Sequence, residues 1–446
     1  MYLAMNKQLL KKIRDNLPEP VKYLTAPVFR NKLIKNKEYL RYKNLLSERE
    51  SLGNEVVEQY QLSELKRILI HSYENVPYYT ELFNRVEFSP YKIKSAKEIK
   101  IIPILTKEII HSNFDKLIST KKIPGGHYNA TTGGSTGEPL KVLLDYNCVF
   151  KENAFIDHYF KKLGYQTKDR FATFRGINFG DKFWKYNPMY NELIFSPFKL
   201  SSKTVSTYVN KMNKIKPDYL HGYLSSLVYL ARLMAEIDLK LKKPIKGIFL
   251  ISESIDKNNR NFLESFFQTK SLTYYGHSER CIIAEEVHPN EYTFDPYYGY
   301  TELIQTKDSG NTIVGTGFLN KTMPLIRYKT DDICYSNGEY FMIDGRWKGS
   351  MGLLGINNEF VSHAAFNFHS EIFRNVTSYQ FIQKQKGKAD LLLVVNQNFK
   401  TEEIKIMNKE IDKKTKGVIE FNIKVTDQLI LTNRGKYKMF ISDINA

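Results

Sequence analysis

The stretch that most restricts this chain is TTGGSTGEPLK, residues 131–141, where three glycines are interleaved with small hydroxyl residues. Glycines at that density oppose a helix or strand interior and let a backbone close around a ligand. A Walker loop places a lysine and then Ser or Thr after its last glycine, whereas Gly137 is followed by Glu138 and Pro139, so this is not one. The hydroxyls of Thr131, Thr132, Ser135 and Thr136 and the amides around Gly133, Gly134 and Gly137 are equipped to donate to phosphate oxygens. Taken alone, the stretch reads first as a polar hairpin turn entering the strand LKVLLD.

With 446 residues the chain exceeds a single small domain and suits two or three, at about 100–200 residues each. Its 42% apolar and 13% aromatic content fits a soluble globular protein, and no apolar run reaches the roughly 18 residues of a membrane span. The segment MYLAMNKQLLKKIRDNL lacks an apolar core ending in a small-residue cleavage site, so a cytoplasmic protein is expected. Cys148, Cys281 and Cys334 lie too far apart for a zinc cluster and are odd in number, which favours core thiols. The nine histidines form no HExxH spacing, which argues against a bound transition metal.

Net charge is +18, and residues 1–50 hold 12 Lys and Arg against 5 Asp and Glu. Leu9, Leu10, Ile13 and Leu17 share a helical stripe there, so this segment suits an anionic leaflet or a polyanionic substrate; the plainer reading is a lysine-rich solvated surface. Basic residues are spread along the chain without a recognisable nucleic-acid module, so no nucleic acid is expected as a partner.

Residues 1–100 read as a helical preface, with LSELKRILIHSYENV at helix spacing and a stop near Val76 and Pro77. From 101 to 345, strands such as KVLLD, DYLHGY, KGIFLIS, SLTYY and TELIQ are interspersed with helical patterns such as SSLVYLARLMAEIDL, which predicts an α/β core. The turn MIDGRWKGSMG marks a boundary, and residues 346–446 read as a small α+β C-terminal domain.

Four motifs follow the glycine-rich stretch in order: YGHSE, RYKTDD, DGR and NRGK. Together with NVPYY, IPILTKE, PDYLHGYLSSL and TMPLIRY, they resemble the ordered motifs of the adenylate-forming superfamily. The likeness is to the branch of phenylacetate-coenzyme A ligases and CapK-type capsular polysaccharide biosynthesis proteins. It implies a large adenylate-forming domain and a mobile C-terminal domain. It assigns Thr131 to Gly137 to the ATP phosphates, Tyr275 and Gly276 to the adenine side, with Ser252 and Glu253 near it, Asp332 to the ribose hydroxyls and Glu279 to Mg²⁺. Arg346 is implied at ribose or phosphate, and Lys436 as the catalytic lysine bridging the substrate carboxylate and the α-phosphate. His221, Gly222, Tyr223 and His277 are implied at the substrate pocket, and Asp157, His158, Tyr159, Arg175 and Asn178 fall where the acyl pocket is often shaped. Asp331 stands where glycine is common and Lys141 is displaced by Leu140, so the turn at Asp331 and the role of Lys141 are open.

The implied activity is ATP-dependent adenylation of a small carboxylate (amino acid, sugar acid or aryl acid). The acyl group then passes to an amine or a thiol, coenzyme A included, in surface polysaccharide assembly. Two alternatives stand beside it: an aryl-coenzyme A ligase, and a non-catalytic adenylation-fold scaffold at a membrane assembly, associated peripherally through the basic N-terminus.

Overall fold

The computed structural model describes residues 17–49, 52–131, 140–175, 179–253, 255–306, 310–344, 352–362, 375–432, 435, 437–442 and 444. They belong to two compact units. One holds residues 28–167 and 272–346, the other residues 1–27, 168–271 and 347–446.

In the first unit helices Lys37–Glu48, Asn54–Asn75 and Pro77–Arg85 come first. Helix Asn54–Asn75 stops where the spacing ends it, with Val76 extended, and Pro77 opens the helix Pro77–Arg85 at a position where its missing N–H is no loss. Leu65, Ile68 and Leu69 present one buried face, and they share a core with Tyr79, Phe83, Ile99, Ile102 and Ile110. Each such burial stabilises by about 1.5–3 kcal/mol.

Seven strands of this unit form an antiparallel array in the lateral order Gly299–Gln305, Asn311–Gly317, Tyr328–Asn337, Tyr340–Asp344, Glu291–Phe294, Ile283–His288, Ser271–Gly276. The α/β reading left the direction of pairing open, and here it is antiparallel. Neighbours such as Ile283–His288 and Glu291–Phe294 are joined by two-residue turns, which only antiparallel partners can use.

The second unit does follow the alternation. Strands Gly247–Leu250, Tyr219–Gly222, Phe171–Phe174 and Glu192–Phe195 pair in parallel in that order, with Trp184–Asn187 antiparallel at the edge. They are short and almost wholly buried, as parallel strands are when helices supply the crossovers. Helices Val205–Ile215 and Leu224–Glu236 lie between them in the chain, and Lys257–Phe267 follows the last of them. The C-terminal piece has a four-stranded sheet ordered Glu420–Val425, Lys388–Val395, Val376–Gln385, Phe440–Ser442, with the helix Glu403–Thr415. Its small core centres on Phe381, Leu391, Leu393, Met407 and Ile411. The architecture is therefore the mixed α/β one expected, a large part followed by a small α+β domain.

Cys148, Cys281 and Cys334 are buried thiols, as expected. Among the described residues no helix is long and apolar enough to cross a membrane.

One buried ion pair organises the first unit. Arg327, 6% exposed, donates from Nε and Nη2 to the two carboxylate oxygens of Glu302 at 2.9 and 3.0 Å. Its Nη1 donates to the carbonyls of Lys100 and Ile102, and its own carbonyl accepts from Leu105 N at 2.9 Å. Removing one member strands a charge in the interior, which costs about 3–5 kcal/mol. Glu302→Ala is therefore expected to lower the urea midpoint of this unit clearly, while Lys116→Ala, which breaks the exposed pair with Glu81, leaves it nearly unchanged. Chemical denaturation followed by fluorescence checks this.

Candidate functional site

The glycine-rich stretch sits between two paired strands. His127–Thr131 and Lys141–Asp145 are antiparallel, with Thr131 opposite Lys141; Thr132, Gly133, Gly134, Ser135, Thr136 and Gly137 lie outside the described residues. Buried Asp145 fixes the base of this hairpin. Its carboxylate accepts from Lys321 N at 2.9 Å, from Thr322 N at 3.0 Å and from the Thr322 hydroxyl. Asn320 Nδ2 donates to the carbonyls of Leu143 and Met323, each at 2.8 Å. The TMPLIRY segment thus anchors the strand after the glycine-rich stretch. Lys141 places its ammonium 5.1 Å from the centre of the Phe114 ring.

In the same unit two of the sequence motifs are joined by side-chain hydrogen bonds. Strand Tyr328–Asn337 carries an irregularity against its neighbour. Lys329 stands opposite Val314 and Ile333 opposite Thr312, so the three residues Thr330, Asp331 and Asp332 face Ile313 alone. A bulge of this kind re-aims side chains. Thr330 Oγ1 closes it on the Ile313 carbonyl at 2.9 Å, and Asp332 N donates back to Thr330 Oγ1 at 3.2 Å. Asp331 takes a left-handed φ of 64° and pairs with Lys107. That conformation explains why glycine suits this position, and aspartate is among the residues that tolerate it.

Asp332, which is buried, accepts from the Tyr275 hydroxyl at 2.8 Å. Burial first, and then the Asp332 charge, push the Tyr275 hydroxyl well above its ordinary pKa, so it stays a donor. Glu279, 2% exposed, accepts from the Tyr328 hydroxyl at 2.7 Å and lies 3.2 Å from His277 Nδ1. Burial works to raise the Glu279 pKa, but the hydrogen bond and charge of His277 together with the Tyr328 bond outweigh it and hold it at about 2. The carboxylate is therefore ionised at any physiological pH. An ionised carboxylate with lone pairs beyond those two bonds is the hard oxygen donor that Mg²⁺ takes, one or two at a time with phosphates and waters. Among the described residues no cluster of three His, Cys, Asp or Glu suits a metal held by protein alone. Gly276 is exposed at the end of its strand.

The other unit gathers a second group around Glu192, the first residue of its strand, with His221 near the carboxyl end of another. His221 lies beside Thr173, with Nδ1 and Oγ1 3.4 Å apart, and Thr173 donates to Glu192 at 3.0 Å. Glu192 also accepts from Arg175 at 2.7 Å and Asn187 at 2.8 Å. Gly222 is required where it stands, because a Cβ there would lie 2.2 Å from the Phe174 carbonyl oxygen. Tyr223 then opens the helix Leu224–Glu236. Glu253 accepts from Ser225 N and Oγ in the first turn of that helix at 2.9 and 2.8 Å, and Ser252 adopts a left-handed φ of 57°. The carboxylate thus satisfies a helix start and complements its dipole.

Of the remaining candidates, Arg346, Asn178 and Lys436 lie outside the described residues. Asp157 and Tyr159 have structural partners: Asp157 accepts from Tyr39 at 2.7 Å, and Tyr159 donates to Asp295 at 2.7 Å. Sequence reasoning missed Tyr328, which orients Glu279, and Glu192, which gathers three donors. Glu192 had a signal, being a lone acid in the apolar strand ELIF. Tyr328 had none beyond its place in RYKTDD.

Burial, aided by the Arg175 charge, lowers the His221 pKa from 6.5 to about 3. A base depressed on folding takes up its proton first in the unfolded chain. Its effect is absent above pH 6.5, and below that it destabilises increasingly until pH nears 3. The slope approaches about 1.4 kcal/mol per pH unit. His221→Gln is expected to flatten the fall of unfolding midpoint between about pH 6 and 4, measured by urea titration at each pH.

Residues 353–443 match the CapK C-terminal domain family. The chain is 24% identical over 399 residues to Protein CapK of Staphylococcus aureus, covering 83% of this chain and 86% of that one. Among solved structures it resembles 2-hydroxyisobutyryl-CoA ligase in the postadenylation state in complex with 2-HIB-AMP, with a TM-score of 0.62, 14% identity, and coverage of 86% of this chain and 89% of the ligase. The same ligase with 2-HIB-AMP and CoA in the thioesterification state gives 0.55 at 16% identity, covering 89% and 92%. The chain thus has the fold of the adenylate-forming ligases and ends in a match to the CapK C-terminal domain, with likeness to a CapK protein through most of its length.

Proposed function

We propose that this protein activates a small carboxylic acid with ATP, releases pyrophosphate, and passes the acyl group to an amine in surface polysaccharide assembly. The observation that carries the proposal is the pair of hydrogen bonds from Tyr275 to Asp332 and from Tyr328 to Glu279. They lock YGHSE to RYKTDD, so that two ionisable carboxylates are held in fixed relation by groups that keep donating.

Adenylation joins two anions, a carboxylate and the α-phosphate, so the protein has to supply donors and cations where charge builds. On this proposal Asp332 accepts from the ribose hydroxyls, and the Tyr275 bond sets its orientation beforehand. Thr131 to Gly137 donate to the β- and γ-phosphates, and Arg346 adds a fixed cation. Glu279 would hold Mg²⁺, oriented by Tyr328 and His277. That ion, when bound, neutralises phosphate charge. Lys436, in the C-terminal domain of residues 346–446, bridges the two reacting anions, and movement of that domain supplies and withdraws it. His221, Gly222, Tyr223 and His277 line the acid's pocket, which takes an amino acid or sugar acid. Ser252 and Glu253 shape the adenine side through the helix start that Glu253 secures.

A thiol acceptor is the second proposal, favoured by the solved ligase of this fold that holds CoA. Pyrophosphate release with ATP and Mg²⁺ over amino acids, uronic acids and aryl acids, with hydroxylamine as acceptor, tests the first half-reaction. One acid class is expected to respond. Lys436→Ala should abolish release while ATP binding persists, and Glu279→Gln should lower kcat/KM by about 10²-fold or more. Release that is unchanged in Lys436→Ala, or that no acid elicits, would overturn the proposal. Replacing hydroxylamine by coenzyme A or by amino sugars then separates the two acceptors.

A further inference from the structure

Thr377 is the odd residue of a bulge in strand Val376–Gln385. Val376 pairs with Val395 and Ser378 with Val394, so Thr377 has no opposite number in the ladder. A bulge frees such a residue to bond elsewhere, and buried Thr377 directs both its carbonyl and its hydroxyl to one helix of the same compact unit. Arg232 Nη1 donates to the Thr377 carbonyl, and the Thr377 hydroxyl donates to Glu236. Arg232 and Glu236 are four apart on helix Leu224–Glu236, hence neighbours on one face. One residue is therefore gripped twice.

The grip joins parts with separate cores. The cluster around Phe381, Leu391 and Met407 draws its members from the C-terminal domain, and the cluster around Leu227, Leu230 and Met234 from residues 26–263. Polar bonds between separate cores make a joint that can open. Arg232 suits one: its other bond goes to Asn259 Oδ1 at 3.2 Å and it lies 5.7 Å from the centre of the Phe262 ring, so both of its hydrogen-bond acceptors are neutral. Neutral acceptors hold a guanidinium less firmly than a carboxylate does. The joint also reaches the loop NRGK. Tyr437, which follows Lys436 in the sequence, donates to the carbonyl of Tyr379, two residues beyond Thr377. Burial holds the Tyr437 hydroxyl above its ordinary pKa, and the charges of Arg232 and Glu253 act on it in opposite senses. Glu253 in turn accepts from Ser225 at the start of the helix whose end carries Glu236. We propose that Arg232 and Glu236 are positioning residues, which clamp Thr377 and so hold the C-terminal domain docked for adenylation. This rests on the adenylation reading above and adds the residues that set the docked arrangement.

Hydrogen–deuterium exchange of the full chain reads the clamp without any substrate. Arg232→Ala and Thr377→Val are expected to raise exchange in residues 375–380 and 427–430 by about fivefold or more. Thr377→Val keeps the side-chain shape and removes only the hydroxyl, so it decides the matter where Arg232→Ala lowers the unfolding midpoint. With the acid that responds, both variants should lower kcat for pyrophosphate release by about fivefold or more with KM for ATP within about twofold of wild type. Arg232→Lys should recover part of the rate, and Glu236→Gln, whose amide oxygen still accepts, should exceed Glu236→Ala. Lys203→Ala, which breaks the exposed 2.6 Å pair with Asp427, should change neither readout. Unchanged exchange in Arg232→Ala and Thr377→Val, raised exchange with unchanged kcat, or equal loss in Glu236→Gln and Glu236→Ala would overturn the clamp and leave the adenylation reading standing. A wild-type protein that releases no pyrophosphate with any acid would overturn that reading, and the role assigned to the clamp with it.

Discussion

The two-pronged bond between Arg327 and Glu302 sets the geometry on which the first unit depends. A guanidinium removed from water has to fill its donors. Here the carboxylate takes two and the carbonyls of Lys100 and Ile102 take another, so one side chain ties the strand Gly299–Gln305 to the segment that follows the helical preface. Arg327 stands next to Tyr328, where the strand that carries Asp332 begins. Its left-handed φ of 53° is the departure that this arrangement enforces, since the fork holds the side chain while the Leu105 pairing holds the carbonyl. Charge burial is tolerable only with such complete pairing.

From that fixed point the bulge at Thr330 to Asp332 follows. Three residues opposite one have to leave the pleat, and Thr330 closes the excess on Ile313. Asp332 then meets the Tyr275 hydroxyl, and Tyr328 meets Glu279. Both tyrosines are donors to carboxylates, and both motifs lose their orientation without the other. The electrostatics depend on the same bonds, because a buried Glu279 without donors would rise in pKa, whereas with them it is held at about 2.

Much of the fold was legible in the sequence wherever local signals and packing agree. Val76 and Pro77 marked a helix boundary because proline lacks the N–H that a continuing helix needs. SSLVYLARLMAEIDL gave the helix Leu224–Glu236, and its buried face carries Leu224, Leu227, Leu230, Ala231 and Met234. The antiparallel array was less legible. A strand's apolar run does not state which neighbour it pairs with, and only the short turns near 289, 338 and 339 carry that information. Among candidate site residues, Tyr275, His277, Glu279 and Asp332 were named from ordered motifs, and hydrogen bonds join them in two pairs, Tyr275 with Asp332 and His277 with Glu279. The partner Tyr328 was not, because a tyrosine in a strand reads as packing.

What the sequence determined by itself was the inventory: the helices, the strand segments, the small C-terminal α+β domain and the ordered motifs, all of which are legible in local periodicity, turn residues and motif order. What only the tertiary structure decided was which polar groups meet. Asp145 accepts from residues 321 and 322, Arg327 reaches Glu302, and Tyr328 reaches Glu279. Glu253 caps a helix that starts 29 residues earlier. Buried polar groups need partners, but the chain can supply them from any distance along its length, and only the packed backbone fixes which ones are in reach.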